Sequence, residues 1–131
     1  MIDPMDELLE AAVAAARLAY CPYSKFRVGA AIRAGGRIHA GANVENASYG
    51  LTVCAERTAA FAAVLAGAGR FEAIAIACVD APGGSPPSLL SPCGACRQVF
   101  AEFADDATPV IVLGVGRMTL ADLLPMAFRL R

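Results

Sequence analysis

The sequence predicts an α/β fold: a mixed β-sheet covered by helices on both faces, in one domain spanning residues 1–131. Three observations predict it. Apolar runs of strand length alternate with helical patterns along the chain. Two of those runs, 71–79 and 109–115, are almost continuously apolar, as strands buried on both faces are. Two earlier runs are joined by Ala34-Gly35-Gly36, a hairpin signal that makes their pairing antiparallel and the sheet mixed.

Residues 6–20 read as the first helix, built on Leu8, Leu9, Val13, Ala16 and Leu18 and ended by Pro22 and Ser24. Its many alanines allow a neighbouring element to approach closely. Residues 28–33 and 38–44 read as the hairpin strands, with His39 as surface or filling. A polar stretch, 45–50, leads to a helix from Cys54 to Leu65 that stops at Gly67. The strand 71–79 precedes a Gly/Pro-rich segment, 80–87, expected to be an exposed loop. Pro92 opens a third helix to Phe103. The strand 109–115 and a short helix, 120–124, follow. Phe61, Phe71, Phe100 and Phe103 are expected in the core.

A chain of 131 residues can bury a sizeable core. Hydrophobic residues make up 57% and charged residues 18%, and the mean hydropathy is +0.54. That apolar excess predicts that other copies of the chain cover part of the surface. Net charge is -1 and the eleven Lys and Arg residues are scattered. A nucleic-acid partner wants a basic stripe, so none is expected and a small neutral molecule fits better. No apolar run approaches membrane-spanning length. The start, Met-Ile-Asp-Pro-Met-Asp, resembles no secretory leader. Five cysteines without an export signal predict the reducing cytoplasm, and metal binding or catalysis rather than disulfides.

The chemistry concentrates in Cys54-Ala55-Glu56-Arg57 and Pro92-Cys93-Gly94-Ala95-Cys96-Arg97-Gln98. Three thiolates suit a metal whose fourth position stays open for reaction, and Glu56 supplies a carboxylate beside it. Soft sulfur favours zinc over magnesium or manganese. Both motifs fall at predicted helix starts, where N–H groups and the helix dipole favour thiolate. Cys54 and Glu56 are separated by roughly 200° of helical rotation. They converge only on a site lying off the end of the helix, where developing negative charge is stabilised. Three thiolates make a poorer Lewis acid than three histidines would. Arg57, beside Cys54 on the helix, is placed to donate to the sulfurs and offset that charge. A redox pair at Cys93 and Cys96 would leave Cys54 and Glu56 unexplained. Cys21 and Cys78 exceed the ligand set, and Cys78 reads as a small core hydrophobe.

A C-x-E motif joined to P-C-x-x-C is the arrangement of zinc deaminases, in which a non-ligand glutamate shuttles protons. The chain resembles the small homotetrameric cytidine deaminases over almost its whole length. The resemblance implies a three-layer α/β/α sandwich around a mixed sheet of about five strands. It also implies one zinc per subunit on Cys54, Cys93 and Cys96, with Glu56 moving protons. Tyr23-Ser24-Lys25-Phe26-Arg27-Val28-Gly29 resembles the family's segment at the first strand, and implies that Phe26 packs on the pyrimidine. Asn43-Val44-Glu45-Asn46-Ala47 resembles the ribose motif, with Asn43 and Glu45 on the 3′-hydroxyl. By the same resemblance the Ala55 N–H takes the 2-oxo group and the Ser91 carbonyl the amino group. Tyr49, and Phe128 within Leu123-Leu124-Pro125-Met126-Ala127-Phe128, match residues that reach a neighbouring subunit's site; Arg57 and Gln98 would support the ligands.

Two departures stand out: a longer loop at 81–87, and Arg27 where many relatives carry Pro. The implied reaction is deamination of cytidine and 2′-deoxycytidine in pyrimidine salvage. A deaminase of a blasticidin S-type antibiotic is the nearest alternative, and a non-catalytic zinc-stabilised scaffold is a second. Asn43 and Phe26 weigh against the first and Glu56 against the second.

Overall fold

The computed structural model describes residues 2–130. Along the chain lie α1 (Pro4–Ala16), β1 (Val28–Ala34), β2 (Arg37–Ala42), a 3-10 turn (Tyr49–Leu51), α2 (Ala55–Leu65) and β3 (Phe71–Cys78). They are followed by α3 (Pro87–Leu90), α4 (Gly94–Phe103), β4 (Pro109–Val112), β5 (Gly116–Thr119) and α5 (Leu120–Leu123). The five strands form a mixed sheet in the order β2-β1-β3-β4-β5. β3 and β4 are parallel and the other neighbours antiparallel.

Two apolar layers sandwich the sheet, giving the expected three-layer α/β/α arrangement. On one face Leu8 and Ala12 of α1 pack on Ala31, Ala73, Ala75, Ala77 and Ile111. On the other, the alanines of α2, Phe100 and Ala101 of α4 and Leu120 of α5 pack on Ile32, Ile74, Ile76, Val110 and Val112. Small residues let the helices lie close. A Cβ on Gly29 would stand 1.8 Å from the Ala12 carbonyl oxygen, and one on Gly41 2.4 Å from the Ala59 nitrogen.

This topology fixes where two helices begin. β2 and β3 each pair antiparallel with β1, so they run in the same direction, and α2 is the crossover between them. β3 and β4 are parallel, and α4 lies in their crossover. Each crossover helix must start where its preceding strand ends. The N-termini of α2 and α4 therefore open at one edge of the sheet, on one face.

Several sequence expectations shift. α1 ends at Ala16, not Tyr20, and Leu18 is exposed. β2 ends at Ala42, and Val44 forms only isolated bridges to Tyr20 and Val53. The run 109–115 divides: β4 stops at Val112, Gly114 turns the chain at φ 83°, and β5 returns antiparallel. The loop expected over 80–87 runs as far as Pro86, and Pro87 opens α3 at its first position, where a missing N–H costs nothing. α4 starts at Gly94, two residues after Pro92. Phe61 was expected in the core but is 47% exposed, because it lies on the face of α2 turned from the sheet. Among the described residues no helix is long and apolar enough to cross a membrane.

Candidate metal centre and active site

The paired helix starts carry the cysteines. Cys54 is the N-cap of α2 and Cys93 the N-cap of α4, both in extended backbone, and Cys96 lies one turn into α4. Their sulfurs all lie within 4.8 Å of one another, and those of Cys93 and Cys96 are 3.4 Å apart without a disulfide. Tetrahedral zinc with sulfur at about 2.3 Å spaces its ligands roughly 3.8 Å apart, so the set needs only small adjustment. Cys96 is buried, Cys54 partly buried and Cys93 exposed, which leaves the site an open side.

Arg57 Nη2 donates to Cys54 Sγ at 3.5 Å. Its Nε is buried and has no hydrogen-bond partner among the described residues. A cation held this way calls for concentrated negative charge beside it, which metal-binding thiolates supply. The Cys54 thiol is brought down to about 5 by hydrogen bonding from Cys96 and then by Arg57, against the opposing effect of burial. Cys96 moves upward, through its bond to Cys54 and through burial. Anionic character therefore gathers on Cys54, next to the guanidinium.

Glu56 follows in the first turn of α2, only 5% exposed. Burial pushes its carboxyl up to about 6, with a hydrogen bond from its own backbone N–H opposing and the Cys54 charge adding. A carboxyl poised near neutrality can both accept and return a proton.

Glu56, Cys54 and Cys93 line one wall of a cavity of about 220 Å³, which also touches Phe26, Asn43, Ala55 and Ser91. Six expected site residues thus meet in one place with Glu56. Asn43 is placed by its backbone partners: its Nδ2 donates to the Phe26 carbonyl at 2.8 Å and its Oδ1 accepts from the Val28 N–H at 2.9 Å. Its amide thus spans Arg27, from the carbonyl of Phe26 to the N–H of Val28.

The remaining residues lie elsewhere. Glu45 and Tyr49 line a neighbouring cavity of about 340 Å³ with Tyr23, Ser24 and Asn46, and Thr52 borders both cavities. Glu45 accepts from the Tyr23 and Ser24 N–H groups at 3.1 Å and from the Ser24 hydroxyl. Phe128 is 69% exposed and lines neither cavity. Gln98, expected to support the ligands, instead sends its Nε2 to the Phe128 carbonyl at 2.8 Å and holds the C-terminal tail. Arg97 does similar work, donating to the Pro92 and Leu123 carbonyls.

Sequence reasoning missed Thr52, Leu89 and Leu90 as cavity residues. Cys78 packs against the core as expected but also lines the cavity, with its Sγ 3.7 Å from the Leu90 carbonyl. Its place at the last position of β3, where the sheet edge opens, was the available signal.

Fold and site together define a zinc-dependent α/β protein that presents a buried acid beside an open coordination position. The chain belongs to the cytidine and deoxycytidylate deaminase family, whose zinc-binding region model matches residues 3–112. It is similar to the cytidine deaminase of Sporosarcina psychrophila, 45% identical over 129 residues that cover 95% of this chain and 90% of that one. It is similar also to the cytidine deaminase of Mycobacterium tuberculosis, 48% identical over 120 residues, 91% of this chain and 85% of that one. The crystal structure of the cytidine deaminase from Burkholderia pseudomallei matches with a TM-score of 0.83 at 44% identity, over 96% of this chain and all of that one.

Proposed function

We propose that the protein hydrolyses cytidine and 2′-deoxycytidine to uridine and 2′-deoxyuridine, releasing ammonia. The observation that carries this reading is the buried carboxyl of Glu56 in the same cavity wall as Cys54 and Cys93. It is supported by the similarity to cytidine deaminases across nearly the whole chain.

Bound by Cys54, Cys93 and Cys96, zinc supplies a Lewis acid that makes water nucleophilic near neutral pH. Glu56 takes a proton from the attacking water and delivers it to ring nitrogen 3. A new C–O bond forms at ring carbon 4. Glu56 then moves a second proton to the departing amine, the C–N bond breaks and ammonia leaves. The Ala55 N–H, at the start of α2 where intrahelical acceptors are lacking, binds the 2-oxo group. The Ser91 carbonyl receives the amino group, and Phe26 covers the face of the ring. Asn43 and Glu45 serve the sugar, while Arg57 offsets the charge of the thiolates.

In this reading the working unit is a homotetramer of single-domain subunits in the cytoplasm, acting in pyrimidine salvage. Phe61, Val64 and Leu65 on the outer face of α2, together with Tyr49 and Phe128, are exposed in the isolated chain and suit burial between copies. Tyr49 and Phe128 would then complete a neighbour's site.

The test is zinc-loaded protein with cytidine, followed by ultraviolet absorbance and ammonia release and compared with a chelated control. Deoxycytidine, cytosine, CMP and blasticidin S run alongside set the substrate range. Zinc-dependent ammonia release from cytidine is expected. Its absence overturns the reading, and turnover of blasticidin S alone selects the antibiotic deaminase.

A further inference from the structure

The antiparallel ladder between β1 and β3 ends its named register at Val28 opposite Cys78. One further backbone bond follows, from the Val79 N–H to the Arg27 carbonyl at 3.3 Å. There the chain turns away into the segment that leads to Leu89, Leu90 and Ser91. The next donor on β1's side, the Arg27 N–H, has lost its neighbouring strand.

Asp80 takes that place with its side chain. Its Oδ2 accepts from the Arg27 N–H at 2.8 Å and from Arg27 Nε at 2.9 Å, while its Oδ1 accepts from Nη2 at 2.8 Å. A bidentate guanidinium–carboxylate pair holds direction as well as distance. One carboxylate thus fastens both the backbone and the side chain of Arg27.

Both partners are linked to the active cavity along the chain. Arg27 follows Phe26, whose N–H donates to Ser24 Oγ at 3.0 Å and whose carbonyl is held by Asn43. Asp80 begins the stretch whose far end supplies Leu89, Leu90 and Ser91 to the lining of the same cavity. Nothing among the described side-chain bonds ties the start of β1 to this stretch except the Arg27–Asp80 pair.

We propose that Asp80 and Arg27 form a positioning clamp that sets Phe26 against the 89–91 wall and so governs substrate affinity rather than the chemical step. Neither side chain lines the cavity, so the clamp acts through Phe26 and the walls it spaces. The inference rests on the function proposed above, and its test separates the two.

The experiment compares wild type, Arg27→Ala, Asp80→Ala, Asp80→Asn and the double alanine variant, all zinc-loaded and matched for zinc content. Cytidine kinetics are measured beside hydrogen exchange of segment 23–28. Asp80→Ala should raise KM roughly tenfold with kcat within about threefold, the pattern of lost binding without lost chemistry. Arg27→Ala, which keeps the backbone bond, should raise KM less. Asp80→Asn keeps a neutral acceptor and should fall between wild type and Asp80→Ala. The double variant should match Asp80→Ala, because the two residues act as one unit. Exchange of segment 23–28 should quicken in Asp80→Ala while the rest of the sheet is unchanged.

An unaltered KM in Asp80→Ala overturns the clamp, as does a fall in kcat at constant KM. Independent effects that multiply in the double variant overturn it too. If wild type turned over no cytidine, the proposed function would fail. The exchange measurement would still decide the clamp: unchanged protection of 23–28 in Asp80→Ala rejects it.

Discussion

Arg57 Nη2 lies 3.5 Å from Cys54 Sγ, so a fixed positive charge sits on the sulfur with the greatest anionic character. Removing it leaves the ligand set more negative and the bound metal a weaker Lewis acid. Without the guanidinium the Cys54 thiol also holds its proton more tightly against the metal, so Arg57→Ala is expected to weaken zinc binding by roughly ten- to a hundredfold and to move the acidic limb of the pH–rate profile upward. Arg57→Lys should recover part of both, since it restores charge without the planar fork. Metal titration against a competing chelator and a pH–rate series check this; two unchanged profiles would refute it.

Glu56→Gln should retain zinc and lose at least about a hundredfold in kcat, the lower end of what a positioned acid/base contributes. Zinc analysis and steady-state rates decide it together.

The same substitution carries a stability signature in metal-free protein. The Glu56 carboxyl rises from 4.5 to about 6 because it is buried. Between those values the native state holds a proton that the unfolded chain has released, so stability falls as pH rises through that window. Above pH 6 the cost is on the order of 2 kcal/mol. Glu56→Gln escapes it. The variant should gain on wild type from about pH 4.5 to 6 and hold a constant advantage above, as denaturant titrations at several pH values would show.

Cys96 is the buried member of the cysteine trio, and Cys96→Ser is expected to abolish stoichiometric zinc. In wild type, thermal stability should climb with free zinc, by about 2.7 kcal/mol at a hundredfold excess over Kd. A melting temperature insensitive to zinc would contradict the site.

Gly41 allows α2 to lie on β2. A Cβ there would stand 2.3 Å from Thr58 Oγ1 and 2.4 Å from the Ala59 nitrogen, and backbone cannot yield as a side chain can. Gly41→Ala should cost about 1–3 kcal/mol or more and lower activity, because α2 carries Cys54 and Glu56. Gly36→Ala is the control. It lies at φ 73° with nothing within 4 Å, so it should bring only backbone strain of about 1–2 kcal/mol and unaltered kinetics.

The metal centre was legible because its chemistry is local: thiols at two helix starts, and a carboxylate two residues from one of them, imply convergence before any coordinates exist. The hairpin and the two buried strands were legible from turn residues and apolar runs. Phe61 was not, because an outward apolar side chain on a helix resembles an inward one until the sheet chooses a face. β5 hid behind Gly114 and Gly116, which break the apolar pattern exactly where the strand forms from Gly-Arg-Met-Thr. α3 hid because two prolines read as loop, although Pro87 opens it. Asn43 shows the harder limit. A ribose motif can be matched by type, but the grip of its amide on the Phe26 carbonyl and the Val28 N–H is a tertiary fact. Asp80 is similar: it sits in a segment whose composition signals only a loop.

The site is divided along the chain, with the thiol of Cys54 and the acid Glu56 before the Gly/Pro-rich stretch and the thiols of Cys93 and Cys96 after it. A polypeptide severed within that stretch would yield two fragments, neither able to chelate as the intact molecule does. Their reunion through the β3–β4 seam would restore the grip on the ion, so the molecule is laid out as a two-piece reporter whose signal is ammonia.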